Sequence, residues 1–144
     1  MMARHAGLIA RWDAGIWRGV LLEGESGSGK SDLMLRALER GWALVADDRV
    51  MLWESGGRVY GRAPDTLAGL MEIRGLDVAP TPYRSFARID LVARCVAAAL
   101  VERMPEQAQV SLLNQAIPAL PLVAVEPSAP AKLARALSHL GLKP

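Results

Sequence analysis

Cysteine is nearly absent from this sequence: Cys95 stands alone among 144 residues, so no intramolecular disulfide can staple the fold. It lies in the run Leu91-Val92-Ala93-Arg94-Cys95-Val96, where a small buried thiol is the expected state. Aromatic residues make up only 5%, and the core must therefore be built mainly from Leu, Val, Ala and Ile. No stretch reaches the roughly 18 consecutive apolar residues of a membrane span. The start, Met1-Met2-Ala3-Arg4-His5, is basic but has no long apolar run behind it, which argues against a signal peptide. Dense Lys/Arg blocks are lacking too. The net charge is +2 and the arginines are scattered, so the pattern is not that of a nucleic-acid surface. These absences lead to the expectation of a cytoplasmic protein with neither membrane nor nucleic acid as partner.

What is present suffices for a packed core, with 51% hydrophobic and 22% charged residues. The length is that of one ordinary domain, and no linker divides it, so residues 1–144 are read as a single domain. His5 to Trp12 and Ile16 to Glu23, joined by the turn residues Asp13-Ala14-Gly15, read as a hairpin. Val20-Leu21-Leu22 is continuous apolar sequence, as in a strand covered on both faces. Ser31 to Arg40 carries Leu33, Met34, Ala37 and Leu38 at helical spacing, with Gly41 as its cap. Trp42 to Ala46 is a further strand. Val50 to Trp53 and Arg58 to Gly61 flank Ser55-Gly56-Gly57 as a second hairpin.

Pro64 suits the first turn of a short helix reaching about Leu70. Pro80-Thr81-Pro82 reads as a loop, and Phe86 to Val96 as a strand. Strands are also expected near Gln109 to Leu113 and Pro121 to Val125, and an amphipathic helix over Ala131 to Leu140. The class is α/β, a mixed sheet with few helices.

Between the second strand and the first helix stands Gly24-Glu25-Ser26-Gly27-Ser28-Gly29-Lys30-Ser31, which fits G-x-x-x-x-G-K-[ST] in the strand–loop–helix setting of a P-loop. Glycines at these positions let backbone N–H groups converge on phosphate oxygens where a Cβ would intrude. The following helix offers its unsatisfied amides to the same anion. Lys30 is placed to reach the β- and γ-phosphates and the Ser31 hydroxyl to ligate Mg²⁺.

The strand Leu44-Val45-Ala46 delivers Asp47 and Asp48 to the edge where open α/β sheets bind ligands. One such aspartate serves Mg²⁺ in P-loop proteins. The second is surplus to nucleotide binding and suits a proton acceptor for an attacking hydroxyl. Glu72 and Arg74 flank one apolar residue and would share a side in an extended segment. That pair suits Mg²⁺ and phosphate, and a surface ion pair would produce the same letters.

Five segments taken together resemble the catalytic domain of bacterial HPr kinase/phosphorylase. They are His5-Ala6-Gly7, the loop at 24–31, Leu44 to Val50, Gly61-Arg62-Ala63-Pro64 and Glu72-Ile73-Arg74-Gly75-Leu76. The resemblance is clear from His5 to about Val96 and weaker beyond. It implies a P-loop kinase fold akin to phosphoenolpyruvate carboxykinase, in a short form consisting of the C-terminal catalytic domain. It also implies use of ATP and Mg²⁺ to phosphorylate a serine of an HPr-type phosphocarrier of the phosphotransferase system, and a homo-oligomer, the family's form being a hexamer. By position, Asp47 would be the base, Asp48 and Glu72 would lie near Mg²⁺ with Ser31, and His5, Arg74 and Arg103 would belong to the catalytic surroundings. Longer members carry Gly-Arg-Asn where this chain reads Val125-Glu126-Pro127-Ser128-Ala129-Pro130. Kinase activity is accordingly the main expectation and phosphorylase activity a secondary one. The residues by themselves leave open a small-molecule kinase or NTPase, and a non-catalytic nucleotide-sensing module.

Overall fold

Continuous apolar sequence at Val20-Leu21-Leu22 demands cover on both faces of its strand, and the fold provides it. The computed structural model describes all residues, Met1–Pro144. Strands β1 (Met2–Arg4), β2 (Gly7–Asp13) and β3 (Ile16–Glu23) lead into helix α1 (Lys30–Leu38). Strands β4 (Ala43–Ala46), β5 (Val50–Ser55) and β6 (Arg58–Arg62) follow, then the small hairpin β7 (Leu70–Ile73) and β8 (Asp77–Pro80). Strands β9 (Ala87–Cys95), β10 (Ala108–Leu112) and β11 (Gln115–Leu122) precede helix α2 (Ala129–His139).

The large sheet runs β1-β5-β6-β9-β3-β2-β4, with β11 and its partner β10 branching from β9. Strand β9 pairs in parallel with both β3 and β11, while the other pairings are antiparallel. One face of the sheet packs on both helices: Val20 and Leu22 meet Leu33, Met34, Leu133 and Leu137 there. The other face encloses Leu8, Leu21, Val50, Leu52, Ile89 and Ile117. Alternate residues of β3 thus serve both cores, which is why the sequence there has no polar face. No helix is long and apolar enough to cross a membrane.

Several boundaries depart from the sequence reading. The helix expected from Pro64 is only a 3₁₀ turn, Asp65–Leu67, and Leu70 begins a strand. The ends of β10 and β11 meet in a two-residue turn whose residues Leu113 and Asn114 have φ of 48° and 65°. A leucine with positive φ is uncommon, so this hairpin carried no recognisable turn dipeptide. The last strand therefore lies at Gln115–Leu122 rather than Pro121 to Val125. Met2–Arg4 is short and pairs only at its register with Val50–Leu52, too brief to show a period.

Candidate functional site

The parallel strand β3 ends at Glu23, and the chain turns through Gly24–Gly29 before α1. The Ser28 amide donates to the Glu25 carbonyl at 3.0 Å, closing a tight turn. Gly29 occupies the N-cap of α1 in the left-handed region, φ 89°, and no side chain caps the helix. The first amides of α1 thus keep their donor capacity for an anion. The room is set by glycine. A Cβ on Gly29 would come within 2.9 Å of Val125 Cγ1, and one on Gly24 within 2.6 Å of Ser28 Oγ and 3.0 Å of Cys95 Cβ.

Lys30 opens α1 and is 92% buried, being 8% exposed, yet it takes part in none of the chain's ion pairs. Its charge acts on two neighbours, Asp47 and Cys95, favouring their ionised forms. A buried ammonium with no anionic partner of its own is costly, and a phosphate chain in the loop is the natural counter-charge. Ser31 is half-buried beside it.

Asp47 and Asp48 do not point the same way. Asp47, just past the end of β4, is buried. Its Oδ2 accepts the Glu72 amide at 3.0 Å, while Oδ1 is buried without a partner. Burial pushes its pKa up, Asp48 and Glu72 add to this, and the Glu72 amide and Lys30 oppose it. Asp48 follows with φ 68°, which an aspartate tolerates, and this turn throws its side chain outward. It is 73% exposed and 3.4 Å from Nδ1 of His5, itself 64% exposed. The Asp48 carbonyl accepts the Ala6 amide at 3.2 Å, which fastens the β1–β2 connection to the same rim.

Glu72 reaches this centre through its backbone, since β7 lies with its amide on Asp47, while the Glu72 side chain is exposed. Arg74 is exposed in the turn between β7 and β8 and forms no ion pair with Glu72. Arg103 is exposed in the connection between β9 and β10 and lines a groove beside β11 and α2. The structure therefore joins the loop, Lys30 and Asp47, with the backbone of Glu72, into one centre. His5 and Asp48 form its rim, and Arg74 and Arg103 stand apart from the Asp47 contacts.

Two neighbours of the centre escaped the sequence reading. Cys95 ends β9 directly beneath Gly24, and burial raises its thiol pKa, with Lys30 partly opposing. Arg4 of β1 holds Glu23 at 2.8 Å, at the entry to the loop. The parallel register that sets Leu22 beside Ala93 places Cys95 there, and pairing between distant strands is not written in either one alone.

The buried orphan Ser28 Oγ, the uncapped helix start and the unpaired Lys30 all suit a phosphate chain, and Asp47 Oδ1 is open to a hydroxyl donor or a hard cation beside it. Comparison with known proteins identifies the family. The model of the HPr serine kinase C-terminal domain matches residues 4–81, just over half of the chain. An HPr kinase/phosphorylase of Clostridium tetani is 44% identical over 64 residues, covering 44% of this chain and 21% of that protein. One from Polaromonas naphthalenivorans is 36% identical over 112 residues, covering 72% of this chain and 35% of the relative. Another, from Bordetella pertussis, is 40% identical over 100 residues, covering 62% and 32%. The chain thus spans between about a fifth and a third of the length of these relatives.

The solved structure of the Hpr(Ser) kinase/phosphatase from Coxiella burnetii superposes with a TM-score of 0.82. It covers 96% of this chain and 95% of that one at 20% identity, a likeness of fold. With the family match extending from β1 through the glycine loop and the aspartates to the β7–β8 hairpin, this chain belongs to the HPr serine kinase C-terminal domain family.

Proposed function

We propose that the chain is the catalytic domain of a protein serine kinase that uses ATP and Mg²⁺ to phosphorylate an HPr-type phosphocarrier. The observation that carries this reading is the pairing of an uncapped, glycine-lined helix start with a buried aspartate, one of whose oxygens has no partner. A nucleotide-binding module needs the first of these. It has no use for a second, desolvated carboxylate of raised proton affinity.

In this mechanism the amides of Gly27 to Ser31 and the Lys30 ammonium bind and orient the phosphates. Ser31, Asp48 and Glu72 would hold the magnesium ion, which supplies neutralisation of charge at the transferring phosphoryl group. A magnesium ion bound largely by phosphate and water needs only one or two carboxylates from the protein. Asp47 receives the acceptor serine: its free Oδ1 accepts the hydroxyl hydrogen bond, orients the oxygen and takes the proton late in the transfer. Burial strengthens Asp47 as a base, since its pKa is raised from the ordinary carboxylate range. His5, 3.4 Å from Asp48, steadies the rim, and Arg74 on its exposed turn faces the incoming protein. Most of the acceleration comes from alignment and charge stabilisation.

Asp47→Asn separates binding from chemistry. The amide keeps the shape and can still accept the Glu72 N–H, so ATP affinity measured by titration calorimetry should stay within about threefold, an energy change below 1 kcal/mol. Phosphate transfer should fall by about 10²-fold or more, as for removal of a general base. Turnover retained in the variant would take Asp47 out of the mechanism.

A further inference from the structure

Arg36 stands in the last turn of α1, about 9 Å along the helix axis from Lys30, and its guanidinium is spent on protein partners. Nε donates to Asp32 Oδ2 at 2.9 Å, Nη1 to the Glu126 carbonyl at 3.0 Å and Nη2 to the Ala124 carbonyl. The Asp32 contact is an exposed pair one turn apart on the helix, of the kind that adds little. The two carbonyls are another matter. A planar guanidinium fork holds two acceptors at a fixed spacing, which a point charge cannot do.

Both carbonyls belong to the turn Val123–Glu126 between β11 and α2, closed by the Glu126 amide donating to the Val123 carbonyl at 3.2 Å. The Glu126 carboxylate is paired with Lys132 of α2 at 2.5 Å. The tip of this turn lies against the last glycine of the phosphate loop. Val125 Cγ1 is 2.9 Å, and Ala124 Cβ 3.4 Å, from the place a Cβ on Gly29 would take. Val125 is 69% exposed, so no core packing presses it there, and its place is set by the backbone of the turn. Gly29 in turn is the N-cap of α1, with φ 89°, and its conformation aims the amides that follow it.

We infer that Arg36 is a positioning residue for phosphoryl transfer. By fixing the Val123–Glu126 turn to α1 it makes that turn a stop against Gly29, and so sets the aim of the Lys30 and Ser31 amides. The inference rests on the kinase reading proposed above, and Arg36 itself touches no phosphate. Holding the helix in place is not its task, since Leu33, Met34 and Ala37 already seat α1 on the sheet. What the fork adds is the register between turn and loop.

Arg36→Lys tests this by keeping the charge and losing the fork. In isotope-labelled free protein, the amide resonances of Gly29 and Lys30 should move in this variant. They should stay in place in Arg40→Ala, which removes an exposed charge just past the end of α1. With ATP, Mg²⁺ and an HPr-type carrier, kcat should fall about tenfold, since small misplacements of reacting groups cost that much or more. ATP affinity should stay within about threefold. An arginine that merely braced the fold would lower the melting temperature and leave the kcat of the folded protein unchanged. Val125→Ala trims the stop at an exposed side chain and should move the Gly29 amide and lower kcat likewise, which carries the test if Arg36→Lys fails to fold. Unmoved amides at Gly29 and Lys30, or an unchanged kcat, would overturn the inference. An equal loss of kcat in Arg40→Ala would overturn it too, by making charge the cause. Wild-type protein that transfers no phosphate would remove the kinase reading, while the amide resonances would still decide whether Arg36 sets the loop.

Discussion

Asp47 is held where an aspartate is uncomfortable. One oxygen is satisfied by the Glu72 amide and the other has no partner, and desolvation lifts its pKa. Linkage fixes the sign of the consequence. A carboxyl whose folded pKa exceeds its unfolded value contributes its full stabilisation below the ordinary aspartate value, near pH ~3.9, and loses that contribution as pH rises through the raised value. At about pH 7 the ionised group therefore weighs against folding, and Asp47→Asn should raise the unfolding midpoint there. Toward about pH 3 both states are protonated and the gain should vanish. Melting curves of wild type and variant at the two pH values decide the matter, and an equal shift at both would assign the effect to packing instead of charge. The same residue that costs stability is the one given the chemistry, a common arrangement at working sites.

At the scale of elements, the glycine loop and α1 were legible because local chemistry dictates them. Glycines at 24, 27 and 29 and the spacing of Leu33, Met34 and Ala37 need no distant partner to be read. Gly29 shows how strict the local demand is: its φ of 89° and its contact with Val125 exclude a side chain twice over. Gly29→Ala should incur about 1–2 kcal/mol of backbone strain and push the loop out of register. ATP affinity is expected to drop about tenfold or more while circular dichroism retains the helix, and a variant that binds normally would show that the amides are not the phosphate ligands. The twin aspartates were legible as a pair, but not their divergence, because the positive φ of Asp48 follows from the Ala6 amide bonded to its carbonyl. The β7–β8 hairpin was hidden by Pro64, which announces a helix that the structure ends after Leu67. Its seat on Asp47 is a tertiary contact between residues far apart in the chain.

Across the whole molecule, the end of the sheet away from the loop is locked by charges that no motif announces. Asp90 is fully buried in β9, bonded to Arg18 at 2.9 Å and to Arg88 at 2.7 and 2.8 Å. Arg18 also holds Asp13 at 2.7 Å and the carbonyls of Leu137 at 3.2 Å and Leu142 at 2.5 Å. Burial works against the charge on Arg18, but Asp90 and Asp13 outweigh it and raise its pKa. This cluster ties β3 and β9, the two strands that flank the loop, to the tail after α2. Asp90→Ala would remove the carboxylate that Arg18 and Arg88 share, leaving the buried Arg18 guanidinium with Asp13 and two carbonyls, and breaking such a buried pair typically costs about 3–5 kcal/mol. Urea unfolding should register that loss with an unchanged slope, while the remaining folded protein binds nucleotide as before. A loss under about 1 kcal/mol would mean the cluster behaves as a surface pair.

The account as a whole turns on transfer of a phosphoryl group to a protein serine. The direct measurement is incubation of the chain with γ-labelled ATP, Mg²⁺ and an HPr-type phosphocarrier, followed by identification of the labelled residue. Label on a serine of the carrier, lost when Asp47 is replaced by Asn, is the predicted result. Label found only as free phosphate or on a small molecule, or ATP bound without any transfer, would contradict it.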